Sequence, residues 1–201
     1  MNAGVMRCTV AAVVVLTLAL GSVNSLAQTP GGVPPRVGDK AADFTLRTLD
    51  GGVVRLSSEV AKGQPIVLVV LRGWPGYQCP FCTRQFAEYL TDAPRFEAAG
   101  ARVYFIYPGP GDGLQGHAET FTAAKPMPKA FQLLLDPDYT YTNAYGLRWN
   151  APKETAYPST FVVNANGLVT FAHTSKEHGD RVPTATVLAA VAEARRAAGA
   201  R

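Results

Sequence analysis

Ile66-Val67-Leu68-Val69-Val70-Leu71-Arg72-Gly73-Trp74-Pro75-Gly76-Tyr77-Gln78-Cys79-Pro80-Phe81-Cys82 is the most informative stretch of this chain. Its first six residues are an unbroken apolar run of β-formers, the pattern of a strand buried on both faces. Thr83 to Leu90 follows, with Phe86, Tyr89 and Leu90 at helical spacing. The two cysteines therefore stand where a strand gives way to a helix. A helix start offers unpaired N–H groups and the positive end of a dipole. Both favour thiolate over thiol, which lowers the cysteine pKa and makes a nucleophile at neutral pH. Cysteines at this spacing can also close one short disulfide loop. A strand, then Cys-x-x-Cys, then a helix is a candidate redox centre.

Cysteine usage elsewhere supports a functional reading. Of the three cysteines, Cys8 lies in an N-terminal segment that reads as a secretory leader. Arg7 supplies its positive end, and the apolar run from Val10 to Leu20 is too short to span a bilayer comfortably. Ser25-Leu26-Ala27 places small residues at a cleavage site. Residues 1–27 are accordingly expected to be a cleavable signal peptide, with Gln28 first in the mature chain, rather than an uncleaved anchor. Cys8 follows no lipobox pattern and would leave with the leader. The expected location is exported, periplasmic or secreted, with no stable membrane anchor after cleavage. Disulfides persist in such compartments. A bridge between Cys79 and Cys82 constrains little of the unfolded chain, so function explains this remaining pair better than stability does.

The mature length suits one domain with a sizeable core. An apolar content of 47% and an aromatic content of 9% fit a globular protein. The net charge of +4 comes from scattered basic residues, with no basic run interleaved with aromatics, so a nucleic-acid partner is not expected. No Gly-rich phosphate loop, Gly-x-Ser-x-Gly or His-Glu-x-x-His signature occurs.

Residues 28–35 are rich in Pro and Gly and read as a flexible tail, leaving 36–201 as the domain. Asp43 to Leu46 and Val53 to Leu56 flank Asp50-Gly51-Gly52, a hairpin signal. Ser57 or Ser58 with Glu59 would cap a helical turn. After the cysteine helix, Pro94 marks a kink or a new start and Gly100 a stop. Val103 to Tyr107 reads as a second buried strand, Pro108 to Gly116 as a loop, and Ala118 to Lys125 as a helix. Phe131 to Leu135 reads as a strand and Tyr139 to Tyr145 as a short helix closed by Gly146. Phe161 to Val163 and Leu168 to Phe171 form a hairpin across Asn164-Ala165-Asn166-Gly167. Thr184 to Ala198 reads as an Ala-rich helix with Val187, Leu188 and Val191 on one face. This order predicts an α/β fold, a mixed central sheet with helices on both faces.

Several pieces in this order resemble the thioredoxin-like superfamily, in particular its redoxin or AhpC/TSA (peroxiredoxin-like) branch. They are Asp39 to Leu46, Leu71-Arg72-Gly73 with Cys79-Pro80-Phe81-Cys82, Asp136 to Gly146, and Tyr157-Pro158-Ser159-Thr160-Phe161 with the Asn-Gly hairpin. The resemblance implies a thioredoxin-like three-layer sandwich. It also implies a cis Pro158 facing the cysteines, which would free the backbone groups of Tyr157 to pair with a bound partner. Peroxiredoxins carry Pro-x-x-x-Thr-x-x-Cys. Aligned on Cys82, this chain keeps the proline as Pro75 but has Cys79 in place of the threonine. The family's arginine falls at Pro158. Two of the three groups that bind and polarise a peroxide are thus replaced, whereas the pair needed for thiol–disulfide exchange is present.

By analogy with the superfamily, where the N-terminal cysteine is the more exposed, Cys79 is expected to attack a partner disulfide and Cys82 to resolve the mixed disulfide. No cofactor beyond the redox-active Cys79–Cys82 disulfide is expected. The partner would be a thiol or disulfide protein, or a small thiol. Arg72 either adds positive charge near the thiolate or is a surface arginine at a strand end. Trp74 and Tyr77 either shape a partner rim or fill space. Two other functions fit the same residues. In a thiol peroxidase, Cys82 would be oxidised by a hydroperoxide and Cys79 would resolve it. In a thioredoxin-fold module that binds Cu(I) or zinc, the thiolates would be ligands, but His117, His173 and His178 lie outside the motif and no ligand set or metal site can be assigned. Thr83 stands where haem attachment needs histidine.

Overall fold

Residues Ile66 to Val70, each fully buried, form strand β3 in the middle of a seven-stranded mixed sheet. The computed structural model describes residues 1, 32–123 and 126–199. The expected leader apart from Met1, and residues 28–31 of the expected tail, lie outside the described residues. Among the described residues, no helix is long and apolar enough to cross a membrane.

The other elements follow in chain order. Strands β1 (Thr45–Thr48) and β2 (Val53–Arg55) and helix α1 (Leu56–Val60) precede β3. Helices α2 (Pro80–Thr91) and α3 (Ala93–Ala98), strand β4 (Arg102–Gly109), helix α4 (Leu114–Thr122) and strand β5 (Phe131–Pro137) come next. Helix α5 (Thr140–Ala144), the hairpin of β6 (Ser159–Val163) and β7 (Val169–Thr174), and helix α6 (Thr184–Gly199) complete the fold. The sheet order is β2-β1-β5-β4-β3-β6-β7. Within it β3, β4 and β5 run parallel, while β6 pairs with β3 and β1 with β5 antiparallel. Parallel neighbours need a crossover, and α2 with α3, then α4, supply the two required.

The strands divide their side chains between two cores, as the pleat dictates. Val67, Val69, Val103, Phe105, Phe131 and Leu133 face α2, α3, α4 and α6, while Ile66, Leu68, Tyr104, Ile106 and Leu134 face α1 and α5. Helices therefore cover both faces, as the element order predicted. Pro94 stands in the first turn of α3 rather than kinking α2. Helix α4 begins four residues earlier than expected, at Leu114. Gly113, at φ 68°, takes the left-handed conformation that turns the chain into the helix, so part of the expected loop is helical. Of the segment read as a tail, Gly32 is described, and its N–H donates to the Asn143 carbonyl at 3.0 Å.

The larger core is aromatic. Phe105 lies 5.0 Å from Phe86, 5.2 Å from Tyr89 and 5.7 Å from Phe131, ring centroid to centroid, edge to face. Phe86 and Tyr89 belong to α2, so this cluster presses the cysteine helix onto the sheet. Phe105→Ala is expected to lower the free energy of unfolding by about 3–5 kcal/mol. Urea melts should show an earlier midpoint at unchanged slope. A loss under about 1 kcal/mol would contradict a close-packed cluster here.

Candidate active site

The strand hands the chain to the helix through a tightly held loop. The Leu71 N–H donates to the Ile106 carbonyl at 2.9 Å, and the Trp74 N–H to the Pro108 carbonyl at 2.9 Å. Gly73, at φ 70°, makes this approach possible, since a Cβ there would collide with the Pro108 carbonyl. Cys79 is then the extended N-cap residue of α2, Pro80 opens the helix, and Cys82 lies in the first turn. Proline suits that position because its missing N–H would have no partner there.

The two cysteines are free thiols and meet in the larger core. Hydrogen bonding from the Cys82 side chain is the main cause that brings the Cys79 pKa down to about 5. Burial opposes the shift, while the N–H groups of Cys82 and Phe81 and the charge of Arg181 add to it. Cys82 moves the opposite way. Its bond to Cys79 raises it well above the ordinary thiol range, burial and the Cys79 charge add to the rise, and Arg181 and the Arg72 N–H oppose it. The two shifts run in opposite directions, so Cys79 is the readier thiolate of the pair.

Exposure departs from the superfamily analogy, which expected Cys79 to be the more open sulfur. Both cysteines are 1% exposed. On one side the Gln78 amide bonds the Tyr107 hydroxyl at 3.0 Å and the His117 carbonyl at 2.9 Å. On the other, the segment after β7 lies against the motif, with Gly179 on the Phe81 ring.

Arg72 is neither a surface residue nor the charge beside the thiolate. It is 1% exposed. Its backbone N–H donates to the Cys82 sulfur at 3.3 Å, but its guanidinium turns away to Glu154 at 2.7 Å, the Tyr77 hydroxyl at 2.6 Å and the Lys153 carbonyl at 2.6 Å. Burial alone would depress its pKa, and the bonds to Glu154 and Tyr77 more than restore it. Glu154 also accepts from His178 Nε2 at 3.0 Å. Burial works against the ionised Glu154, and Arg72 and then His178 hold its pKa low.

Pro158 and Tyr157 also differ from expectation. No cis peptide occurs among the described residues, so Pro158 is trans. The Tyr157 N–H is used by the Leu147 carbonyl at 2.8 Å, and its carbonyl accepts the Ser159 hydroxyl at 2.9 Å. The backbone groups expected to await a partner are occupied, because the chain enters β6 in an extended path stitched to its neighbours. The Tyr157 ring stacks on Trp149 at 4.7 Å. Trp74 is half-buried and stacks on His117 at 3.7 Å, whereas Tyr77 is 44% exposed. The structure brings Cys79, Cys82 and the Arg72 backbone together, and sets the Pro158 backbone apart from any free role. Sequence reasoning missed Arg181, Glu154 and Gln78.

The AhpC/TSA family model matches residues 37–172. The chain belongs to the AhpC/TSA family. A chloroplastic peroxiredoxin Q of Oryza sativa subsp. japonica is 30% identical over 139 residues, covering 69% of this chain and 59% of that protein. The chain thus spans about three-fifths of the length of that relative. A Mycobacterium tuberculosis H37Rv protein named as a peroxiredoxin is 31% identical over 140 residues, covering 67% of this chain and 82% of its own. Among solved structures, a Chlorobium tepidum protein described as a thiol:disulfide interchange protein, DsbE, matches with a TM-score of 0.58 and 26% identity, over 78% of this chain and 99% of that one. The peroxidoxin BcpB of Mycobacterium tuberculosis matches with a TM-score of 0.62 and 23% identity, over 79% and 97%. The AhpC/TSA chain has the thioredoxin-like fold these structures share.

For this AhpC/TSA protein, the rate of iodoacetamide capture at Cys79 is expected to follow a titration with its midpoint near pH 5. Cys82→Ala removes the donated hydrogen bond and should move that midpoint up towards the ordinary thiol range. An unmoved midpoint would show that the helix terminus alone sets it. The linked effect on stability has a definite sign. A thiol held below its unfolded pKa stabilises the fold above the unfolded value, and this contribution is lost as pH falls through about 5.

Proposed function

We propose that this protein is a thiol–disulfide oxidoreductase in which Cys79 is the attacking sulfur and Cys82 the resolving one. The observation that carries the reading is the placement of Cys79 at the N-cap of α2 with Cys82 in its first turn. There the Cys79 pKa falls to about 5 while that of Cys82 rises, so one sulfur favours the thiolate and the other keeps its proton. Cys79 attacks one sulfur of a partner disulfide. The partner S–S bond breaks, its electron pair leaves on the second partner sulfur, and that thiolate takes a proton from solvent. Cys82 loses its proton to solvent and attacks the Cys79 sulfur of the mixed disulfide. The bond to the partner breaks, the partner leaves as a thiolate, and the Cys79–Cys82 disulfide forms. Both electrons end on the partner. The reverse sequence oxidises a dithiol. Proximity makes the second step intramolecular.

The partner is a protein thiol or disulfide, or a small thiol, and it reaches the sulfurs only when the cover over them opens. The N-terminal sequence supports export, where such a pair cycles without competition from a cytosolic thiol pool. No metal or organic cofactor is required by this chemistry. Trapping tests the order of attack. Cys82→Ser is expected to accumulate mixed disulfides that Cys79→Ser cannot form, seen as reductant-sensitive adducts by mass spectrometry. Accumulation in Cys79→Ser instead would reverse the roles.

A second reading is favoured by the relatives named as peroxiredoxins and by the two donors near Cys82, the Arg72 N–H and Arg181. In it the Cys82 thiolate attacks a hydroperoxide oxygen, the O–O bond breaks with release of an alcohol or water, and the resulting sulfenic acid condenses with the Cys79 thiol to form the disulfide and release water. The raised pKa of Cys82 and the replacement of the family threonine and arginine by Cys79 and Pro158 weigh against it. Peroxide consumption with a thiol reductant is expected at a rate no better than that of a small free thiol. Turnover orders of magnitude above that would make the peroxidase the better account.

A further inference from the structure

Arg72 and Arg181 both approach Cys82, but only one brings an uncompensated charge. The Arg72 guanidinium is neutralised by Glu154. Arg181 Nη2 lies 3.9 Å from the Cys82 sulfur. Its Nη1 donates to the carbonyls of Asp180 at 3.2 Å and Glu177 at 3.5 Å. Its Nε is buried without a hydrogen-bond partner. Among the described residues it forms no ion pair, since Asp180 is taken by His173 at 3.1 Å.

The segment between β7 and α6 is built to hold this side chain in place. The Ser175 N–H donates to the Pro158 carbonyl at 2.9 Å, and His178 pairs with Glu154. Gly179 rests on Phe81, where a Cβ would sit 3.3 Å from the ring. Val182, next in sequence to Arg181, is buried in the larger core. The arginine therefore stands over Cys82 with its position set on both sides.

We propose that Arg181 is the positioning residue for the resolving step, its guanidinium holding the Cys82 sulfur as a thiolate aimed at the mixed disulfide. This rests on the reading of Cys79 as the first nucleophile. Before reaction Cys79 carries the negative charge, and Cys82 keeps its proton chiefly because it donates to Cys79. Once Cys79 is bonded to the partner, both that bond and the Cys79 charge are gone. Burial remains, opposed by Arg181 and by the Arg72 N–H. The other titratable group coupled to Cys82 is Tyr107 of β4, whose hydroxyl is bonded to Gln78, while the Arg72–Glu154–His178 cluster turns away and is internally paired. The same cation thus serves Cys79 first and Cys82 second, and Cys82 becomes the nucleophile only after a partner is attached.

The reagent 2,2′-dithiodipyridine, a small uncharged aromatic disulfide, separates the two steps. Reduced protein should release one thiopyridone as Cys79 attacks and a second as Cys82 displaces it. Entry to the sealed sulfurs limits only the first release. Arg181→Gln should raise the pH midpoint of the second release by about one unit, the effect of removing an opposite charge at this range. Below the midpoint the second release should slow about threefold, because tenfold less thiolate is partly offset by the greater nucleophilicity of a more basic sulfur. Above both midpoints the variant should be the faster. A merely structural loss would not produce that crossing. Arg181→Lys should keep the wild-type midpoint. A Gln profile that superposes on wild type or falls equally at every pH, or a Lys variant that behaves like Gln, would overturn the inference alone. A first release that survives intact in Cys79→Ser would overturn the reading beneath it.

Discussion

A buried guanidinium at the end of the central strand is the constraint around which this site is built. Arg72 lies two residues beyond β3 and is shut away from water. A charge so placed is tolerated only when it is paired and fully hydrogen-bonded. Its partners are Glu154 and the Lys153 carbonyl, 82 and 81 residues away, with Tyr77 closing the near side. The Thr155 hydroxyl in turn bonds the Arg72 carbonyl. The loop leading into β6 must therefore close onto the end of β3. That closure brings Glu154 to His178, and so brings the segment carrying Arg181 onto Cys82. A buried ion pair is weak evidence for net stability. Here its effect is one of place: it holds the Arg72 backbone where its N–H meets the Cys82 sulfur.

The two arginines divide the work by their state of neutralisation. One is cancelled by a carboxylate and acts through its backbone. The other has no carboxylate and acts through its charge. This difference explains why the sulfurs respond to Arg181 across space and to Arg72 only through a hydrogen bond. A reading of charge type alone would have treated the two as equivalent.

What the amino-acid sequence reveals follows the range of the interactions concerned. Ile66 to Leu71 declares a central strand because nothing polar interrupts it. Cys79 declares a helix start because Pro80 fits the first turn and Phe86, Tyr89 and Leu90 keep the period. The Asn164–Gly167 turn is equally local. The start of α4 was less legible because one left-handed glycine, Gly113, converts the end of a Gly/Pro-rich stretch into a helix. The direction of the Arg72 side chain depends on Glu154, and the cation over the sulfurs comes from 99 residues beyond Cys82. No spacing or composition near the motif encodes either. The Pro158 expectation came from resemblance, and local hydrogen bonding of Tyr157 and Ser159 determines the outcome instead.

The chemical character of the pair follows from its position at the edge of an apolar core. Burial disfavours an ionised sulfur and so favours the uncharged disulfide. The Cys82 proton, the helix N–H groups and Arg181 act in the other direction, since each stabilises the Cys79 thiolate of the reduced state. The second set prevails, because Cys79 ionises near pH 5 in spite of its burial. The character of the pair is thus the outcome of one arrangement, a sulfur at the helix N-cap and a sulfur in its first turn beneath an unneutralised arginine.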